Sequence, residues 1–533
     1  MRTQLFADPE GRFLHDTILD SCRRNADRTA IVDPSCAKPR RISYGEYGEL
    51  VESVARGLIR AGLKPGERIG IFLPNSWEFC AAYHAATLAG AIPTPMNPSY
   101  REREVRYQLE NSGAVMLVSN GNLIGGMNLG ELPALRNVYT TREAAPGCED
   151  FASLLAPGTT PLPNFAADSK TTVAALPYSS GTTGLPKGVM LSHHNLVANV
   201  YQIIAPDAAP FRPHEIVLCF LPLYHIYGLN VVLNPTLVLG GTLVLMPRFE
   251  AVRAAQLIER EGITFIPLVP PVLNAFCQLA EQGQFPRKHQ VRWAKSGAAP
   301  LAPELGRRFI ELTGIRVAQG YGMTEASPVT HIGYEDGPLA VLASIGHPVA
   351  LTDCMLIDEN GRAAVTGEIG ELVMRGPQFM LGYWNAPEAT ADVLRPLPSG
   401  VGPGDGGAWY WSGDVARMDE RGLFYIVDRR KELIKYKGFA VAPAEIEAVL
   451  LEHPGVRDCA VVGQPDQNAG EIPCAFIVLR DPEGGNARLA ADLSDWVASR
   501  LTHYKQPRRV EFVPSVPRNP SGKILRRELR KML

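Results

Sequence analysis

Very little net charge is available to this 533-residue chain: 53 Lys and Arg face 55 Asp and Glu, a formal charge of −2. The surface as a whole therefore has no field to hold a polyanion such as DNA. No two of the nine cysteines form a C-x-x-C pair, which argues against a thiol metal site or dithiol motif and fits a reducing compartment. Residues 216–247 contain no Asp, Glu, Lys or Arg, but Pro222, His225, Asn230, Asn234, Pro235 and Gly240-Gly241 interrupt them. A lipid-facing helix would have to re-satisfy each broken backbone group, so buried strands and a helix are expected and a membrane span is not. The start MRTQLFADPEGRF carries charges where a secretory signal needs an apolar stretch, so a cytoplasmic location is expected.

Glycine and proline are plentiful, at 50 and 44, which calls for a folded, turn-rich and hinged structure. The charge is also uneven. Residues 501–533 carry nine Lys and Arg against only Glu511 and Glu528, which reads either as a small basic module meeting an anion of limited size or as a solvated basic helix.

Short β-branched runs alternate with helical patterns over much of the first 330 residues. Arg68–Leu73 reads as a strand, Ser76–Ala89 as a helix stopped by Gly90, and Ala91–Met96 as the next strand. Further strands are expected at 114–120, 263–270 and 291–297, with a helix over 303–313. Strands alternating with helices predict parallel sheets covered on both faces. Residues 343–428 change to short strands and turns, a β-rich subdomain. The expected class is α/β: a large N-terminal domain (1–428) of doubly wound sheets plus that subdomain, a hinge at 429–433, and a small mobile C-terminal α+β domain (434–533). In the small domain, helices are expected near 443–452, 488–501 and 524–532, and strands near 456–463, 471–479 and 509–513.

The segment YSSGTTGLPKG (178–188) sets Ser179, Ser180, Thr182 and Thr183 among Gly181, Gly184 and Gly188 and ends on Lys187. Small hydroxyl residues and glycines let backbone N–H groups approach phosphate oxygens, and a lysine adds a point charge. The Walker pattern cannot be laid on it. With it, in order, stand PLYHIYGLN (222–230), SGAAPL (296–301), QGYGMTE (319–325), WYWSGD (409–414), DRRKELIKYKG (428–438) and PSGKILRREL (520–529).

This ordered set resembles the adenylate-forming superfamily: acyl-CoA synthetases, aryl-CoA ligases such as plant 4-coumarate ligases, beetle luciferases and peptide-synthetase adenylation domains. The resemblance implies an acid-thiol ligase that uses ATP, Mg²⁺ and coenzyme A. It would join a fatty or aromatic carboxylic acid to AMP, release pyrophosphate, and pass the acyl group to CoA or, alternatively, to a carrier protein. It also implies roles for single residues. The phosphate loop would bind ATP together with Ala298, Gln319, Gly320, Tyr321 against adenine and Thr324 at the α-phosphate. Glu325 would hold the magnesium ion, Asp414 the ribose hydroxyls, and Arg429 the nucleotide. Lys523 would bridge carboxylate and α-phosphate during adenylation. His225, Tyr227, Gly228 and Ile332 would border the acyl pocket. Lys431 would be the hinge, Lys435 would serve the thioester step, and Lys437, Gly438 and Arg248 would meet CoA. One position departs from the plant 4-coumarate ligases, which carry glutamine where this chain has Ala440.

Overall fold

A computed structural model describes residues 8–163, 167–179, 185–205, 211–333, 341–430, 432–437, 439–466, 469–519 and 522–533. Ser180, Gly181, Thr182, Thr183 and Gly184 of the phosphate loop, Lys431 at the expected hinge and Gly438 lie outside the described residues.

The expected alternation of strand and helix builds two parallel sheets. The larger runs, in spatial order, His347–Pro348, Val329–Ile332, Arg316–Gly322, Trp293–Ser296, Phe265–Leu268, Ile216–Cys219, Thr242–Leu245, Thr29–Asp33 and Arg40–Ser43. Its middle strands are parallel and both edges antiparallel. Ile92–Pro95, Arg68–Phe72, Ala114–Asn120, Asn137–Thr141 and Glu149–Asp150 form the second, wholly parallel sheet. Helices begin and end where side chains dictate: Ser76 caps Trp77–Leu88 by accepting from Phe79 N. The uncharged 216–247 run becomes two strands of the larger sheet with the π-helical turn Gly228–Leu233 and the helix Asn234–Val238 between them. Among the described residues, no helix is long and apolar enough to cross a membrane.

Buried Asn75 ties the two sheets together at the end of the strand Arg68–Phe72. Its amide donates to the carbonyls of Leu221 (2.9 Å) and Met246 (3.2 Å), and its oxygen accepts from Leu223 N at 2.8 Å. One side chain thus fixes the loop that leads to His225.

The β-rich part is an antiparallel sheet built on Ile369–Arg375, Trp409–Met418 and Phe424–Arg429. The last strand continues through Arg429, one residue into the segment read as a hinge. Beyond it the chain forms a separate sheet with two small cores of its own. Residues of Gly470–Leu479 alternate: Ala475, Ile477 and Leu479 pack with Ile446, Leu450, Leu493 and Val497 on one face, while Cys474, Phe476 and Val478 pack with Val516 and Leu529 on the other. The expected terminal helix over 524–532 is shorter, Arg526–Arg530. A bridge between Arg518 and Ile524 holds the preceding chain extended, and of the apolar stripe only Leu529 is buried, Leu525 and Met532 being exposed.

The cations of this terminal stretch are largely paired within it or with its neighbours: Lys505 with Glu445, Arg509 with Glu511, Arg518 with Asp458, Arg526 with Glu447, Arg530 with Glu432 and Lys531 with Glu528. Much of the charge of this stretch is therefore met by neighbouring carboxylates, while Lys523 lines the large cavity described below. All nine cysteines are free thiols, and burial pushes every one of them up from its ordinary value, Cys36 to about 11 and Cys22 to about 12.

Replacing Asn75 with alanine should cost about 2–4 kcal/mol of stability, because it leaves Leu223 N and two carbonyls buried without their partner. Denaturant unfolding of the variant against the wild type measures it.

Candidate active site

A cavity of about 2710 Å³ opens at the carboxyl ends of the parallel strands Phe265–Leu268, Trp293–Ser296 and Arg316–Gly322 and reaches the C-terminal unit. Crevices outside the carboxyl ends of parallel strands are where open α/β sheets bind ligands.

One wall comes from the hairpin formed by Tyr178–Ser179 and Lys187–Ser192, with Ser179 opposite Lys187. The hairpin leads to Glu325, in the single turn Thr324–Ala326, which is buried and accepts from Tyr383 Oη at 2.8 Å and Ser179 Oγ at 3.3 Å. The Lys187 ammonium lies 5.5 Å from the centre of the Tyr383 ring. Sequence reasoning missed Tyr383, which pairs with Val189 across a sheet edge; nothing in LGYWN (381–385) marks it, since its partner is far away in the chain.

The opposite wall is the hairpin Trp409–Met418/Phe424–Arg429, whose register sets Asp414 opposite Arg429. The Arg429 guanidinium pairs with Asp414 at 3.1 Å, and Tyr321 Oη donates to the same carboxylate. Burial and the Asp414 charge push the Tyr321 phenol well up, so it remains a donor. Glu371, also missed, accepts from Gly413 N at 3.2 Å and from Arg430 at 2.7 Å, and so holds the turn before Asp414.

Lys523 enters from the C-terminal unit. Its turn is closed by Lys523 N donating to Asn519 Oδ1 at 2.9 Å, with Gly522 at φ +83° in the region open to glycine. Pro271 and Val269 approach Gly522 so closely that a Cβ would touch them. Burial, then the Arg429 charge, pushes Lys523 down to about 8, against Asp414, Glu432 and Glu325. His225 feels the same ammonium: burial first and Lys523 second push it down to about 4, so the imidazole is neutral at pH 7. The structure thus brings Lys523, His225, Asp414, Arg429, Glu325 and Thr324 to one cavity.

The floor is apolar. Tyr227 Oη donates to Lys295 O at 2.8 Å and its ring packs on Gly297. Ile332, Val231 and Val329 line the same space, while Gly320 leaves room above the Lys295 stem. Lys295 is buried and donates to Gly333 O at 2.6 Å; it too was missed, because within a strand it reads as a solvated lysine. Ala298 is held at φ +66°, a conformation of the kind that costs energy and gathers at binding sites.

Other expected residues stand elsewhere. Arg248 is exposed, paired with Glu250 at 2.9 Å and outside the cavity lining. Gly228 packs against the Pro222 carbonyl, where a Cβ would come within 2.2 Å, and is likewise outside the lining. Gln319 lines the cavity but its amide is committed, accepting from Leu301 N at 2.9 Å and donating to Leu342 O at 2.6 Å. Lys435 is exposed at the cavity edge, and Lys437, with its ammonium 5.7 Å from the Tyr436 ring, is outside it. Among the described residues no group of three His, Cys, Asp or Glu could hold a metal ion. Glu325 is a single hard oxygen donor, which suits a Mg²⁺ whose other ligands are phosphates and water.

A family model described as AMP-binding enzyme matches residues 18–384, and one for the AMP-binding enzyme C-terminal domain matches 445–523. The chain belongs to the AMP-binding enzyme family. Relatives of this AMP-binding enzyme include 4-coumarate--CoA ligase 5 of Oryza sativa subsp. japonica, 37% identical over 99% of this chain and 96% of that one, and 4-coumarate--CoA ligase 3 of Arabidopsis thaliana, 37% identical over 98% and 91%. Among solved structures, an anthranilate CoA ligase in complex with anthranoyl-AMP superposes with a TM-score of 0.88 at 25% identity, covering 100% of this chain and 99% of that one. A benzoate CoA ligase from Burkholderia xenovorans does so with a TM-score of 0.83 at 26% identity, over 97% and 100%.

In this AMP-binding enzyme the two legs of the 319–329 loop touch where Gly322 passes the Pro328 carbonyl, which a Cβ would meet at 1.9 Å. Gly322→Ala should therefore spread the loop that carries Tyr321 and Glu325 and weaken ATP binding by about tenfold or more, with calorimetric titration as the measurement.

Proposed function

We propose that the protein is an ATP-dependent ligase that joins an aromatic carboxylic acid to coenzyme A through an acyl-adenylate. The observation that carries this reading is the delivery of Lys523 to a cavity shared with Asp414, Arg429, Glu325 and neutral His225. A carboxylate is a poor acyl donor, and attack of its oxygen on the α-phosphorus of ATP expels pyrophosphate and leaves a mixed anhydride. Negative charge develops at the α-phosphate in that step, so fixed cations and donors there lower the barrier. Lys523 supplies the charge between carboxylate and phosphate, Thr324 a hydroxyl, and Asp414 with Arg429 holds the nucleotide. Bound at Glu325, Mg²⁺ would neutralise phosphate charge. Sulfur of CoA then attacks the acyl carbon, its proton passes to solvent, and AMP leaves.

Domain motion belongs to this reading. Residues 1–428 carry the nucleotide, 429–433 with Lys431 act as the hinge, and 434–533 alternate as a lid. After adenylation the lid withdraws Lys523 and turns Lys435, Lys437 and Gly438 towards the thiol path. The arrangement described here, with Lys523 in the cavity, is the adenylating one. Relatives and neighbours named for coumarate, anthranilate and benzoate support an aromatic substrate, as does an apolar floor with the Tyr227 ring on Gly297. Free, protonated cysteines support a reducing, cytoplasmic setting.

Lys523→Ala should slow pyrophosphate release by about 100-fold or more while thioester formation from preformed acyl-AMP stays nearly unchanged. Equal loss of both half-reactions overturns the assigned role. Because the charged form acts and the free-enzyme value lies near 8, kcat/KM for adenylation should fall as pH rises through about 8, and Lys523→Arg should remove that fall. A pyrophosphate-release screen of benzoic, cinnamic and straight-chain acids, with CoA or carrier protein as acceptor, should favour aromatic acids and CoA. Preference for straight-chain acids overturns the substrate class.

A further inference from the structure

The junction between the two parts of the chain contains a helix cap supplied from the wrong side. The helix Pro443–Leu451 starts in the C-terminal unit. Its cap residue, Ala442, has no side-chain oxygen, and Pro443 has no N–H. The first amides of a helix lack partners within it and are ordinarily met by a Ser, Thr, Asp or Asn at the cap. Here Ala444 N donates to Asp428 Oδ2 at 3.0 Å, and Asp428 belongs to the last strand of the large unit, opposite Val415.

Asp428 is 6% exposed, and its other oxygen accepts from Arg429 N at 2.7 Å. Burial pushes this carboxyl up to about 6; the Arg526 charge and the two amides oppose that and Glu447 adds to it. At pH 7 it is still ionised, and a negative charge at a helix N-terminus is favourable. The same helix carries Glu447, which pairs with Arg526 at 2.5 Å and accepts from Val461 N at 2.7 Å. Arg526 follows Lys523 by three residues. A run of contacts therefore leads from the strand holding Arg429 through Asp428, the helix and Glu447 to Arg526, from which three residues of chain lead back to Lys523.

We propose that Asp428 is a positioning residue for the adenylation half-reaction: it caps the helix Pro443–Leu451 across the junction while Lys523 occupies the cavity, and the cap is released when the lid turns for thioester formation. This rests on the two-step reading above. A residue acting this way biases one half-reaction against the other, which a merely structural role does not.

The test uses the full-length enzyme as wild type, Asp428→Ala and Asp428→Asn. Acyl-AMP formation and thioester formation from preformed acyl-AMP are timed separately, and amide hydrogen exchange follows peptides spanning 441–451. Asp428→Ala should slow acyl-AMP formation by roughly tenfold, the scale of one lost helix cap, leave thioester formation equal or faster, and raise exchange at the helix start. Asp428→Asn, which keeps one acceptor, should recover part of both. The proposal is overturned if the two half-reactions fall together, if alanine behaves as wild type, or if asparagine is no better than alanine. Should the wild type make no acyl-AMP from any acid, the functional reading fails, and exchange alone decides the cap: unchanged protection in Asp428→Ala overturns it.

Discussion

The antiparallel pairing of Trp409–Met418 with Phe424–Arg429 is the constraint on which the rest depends. Its register places Asp414 opposite Arg429, and a buried carboxylate needs such a partner to remain charged. The same register fixes where the chain leaves the large unit, because the strand carrying Arg429 runs directly into the charged connection at 430–437. A one-residue slip would turn Arg429 to the other face of the ladder. It would also move Asp428, and with it the start of the C-terminal unit. The Asp414–Arg429 pair and the start of the C-terminal unit are thus set by one pair of strands.

Burial explains how the site is made reactive without unusual residue types. Burial in the cavity holds His225 neutral and brings Lys523 down to about 8, close to neutral pH. Lys523 keeps its proton at neutral pH because the carboxylates of Asp414, Glu432 and Glu325 offset part of the desolvation and the Arg429 charge. Elsewhere in the C-terminal unit Lys505, Arg509, Arg518, Arg526, Arg530 and Lys531 each face a carboxylate, which offsets much of the charge of that stretch outside the cavity.

Local pattern made much of the fold legible. The strand at 114–120 and the helix at 303–313 agree with the structure residue for residue, because a continuous apolar run and a proline start with a glycine stop are written in adjacent residues. The terminal helix was overread, since helical spacing of Leu525, Leu529 and Met532 says nothing about the bridge at Ile524 that consumes the first turn. In the site, motif residues such as Tyr321, Glu325 and Asp414 were legible because each stands in a dense local pattern. Tyr383, Glu371, Lys295 and Asp428 were not, because each acts through a partner 16 or more positions away, reached only once strands pair. Arg248 and Gly228 show the converse: positions suggested by resemblance whose surroundings here are an ion pair and a backbone contact.

The buried thiols acquire a meaning beside an activated acyl group. An acyl-adenylate reacts with any sulfur that is ionised, and thiolate rather than thiol is the nucleophile. Burial holds all nine cysteines above their ordinary values, so at neutral pH each stays in the less nucleophilic thiol form. Restraint on thiol acylation thereby follows from where the cysteines lie, six of the nine being buried, instead of from a device built at the site.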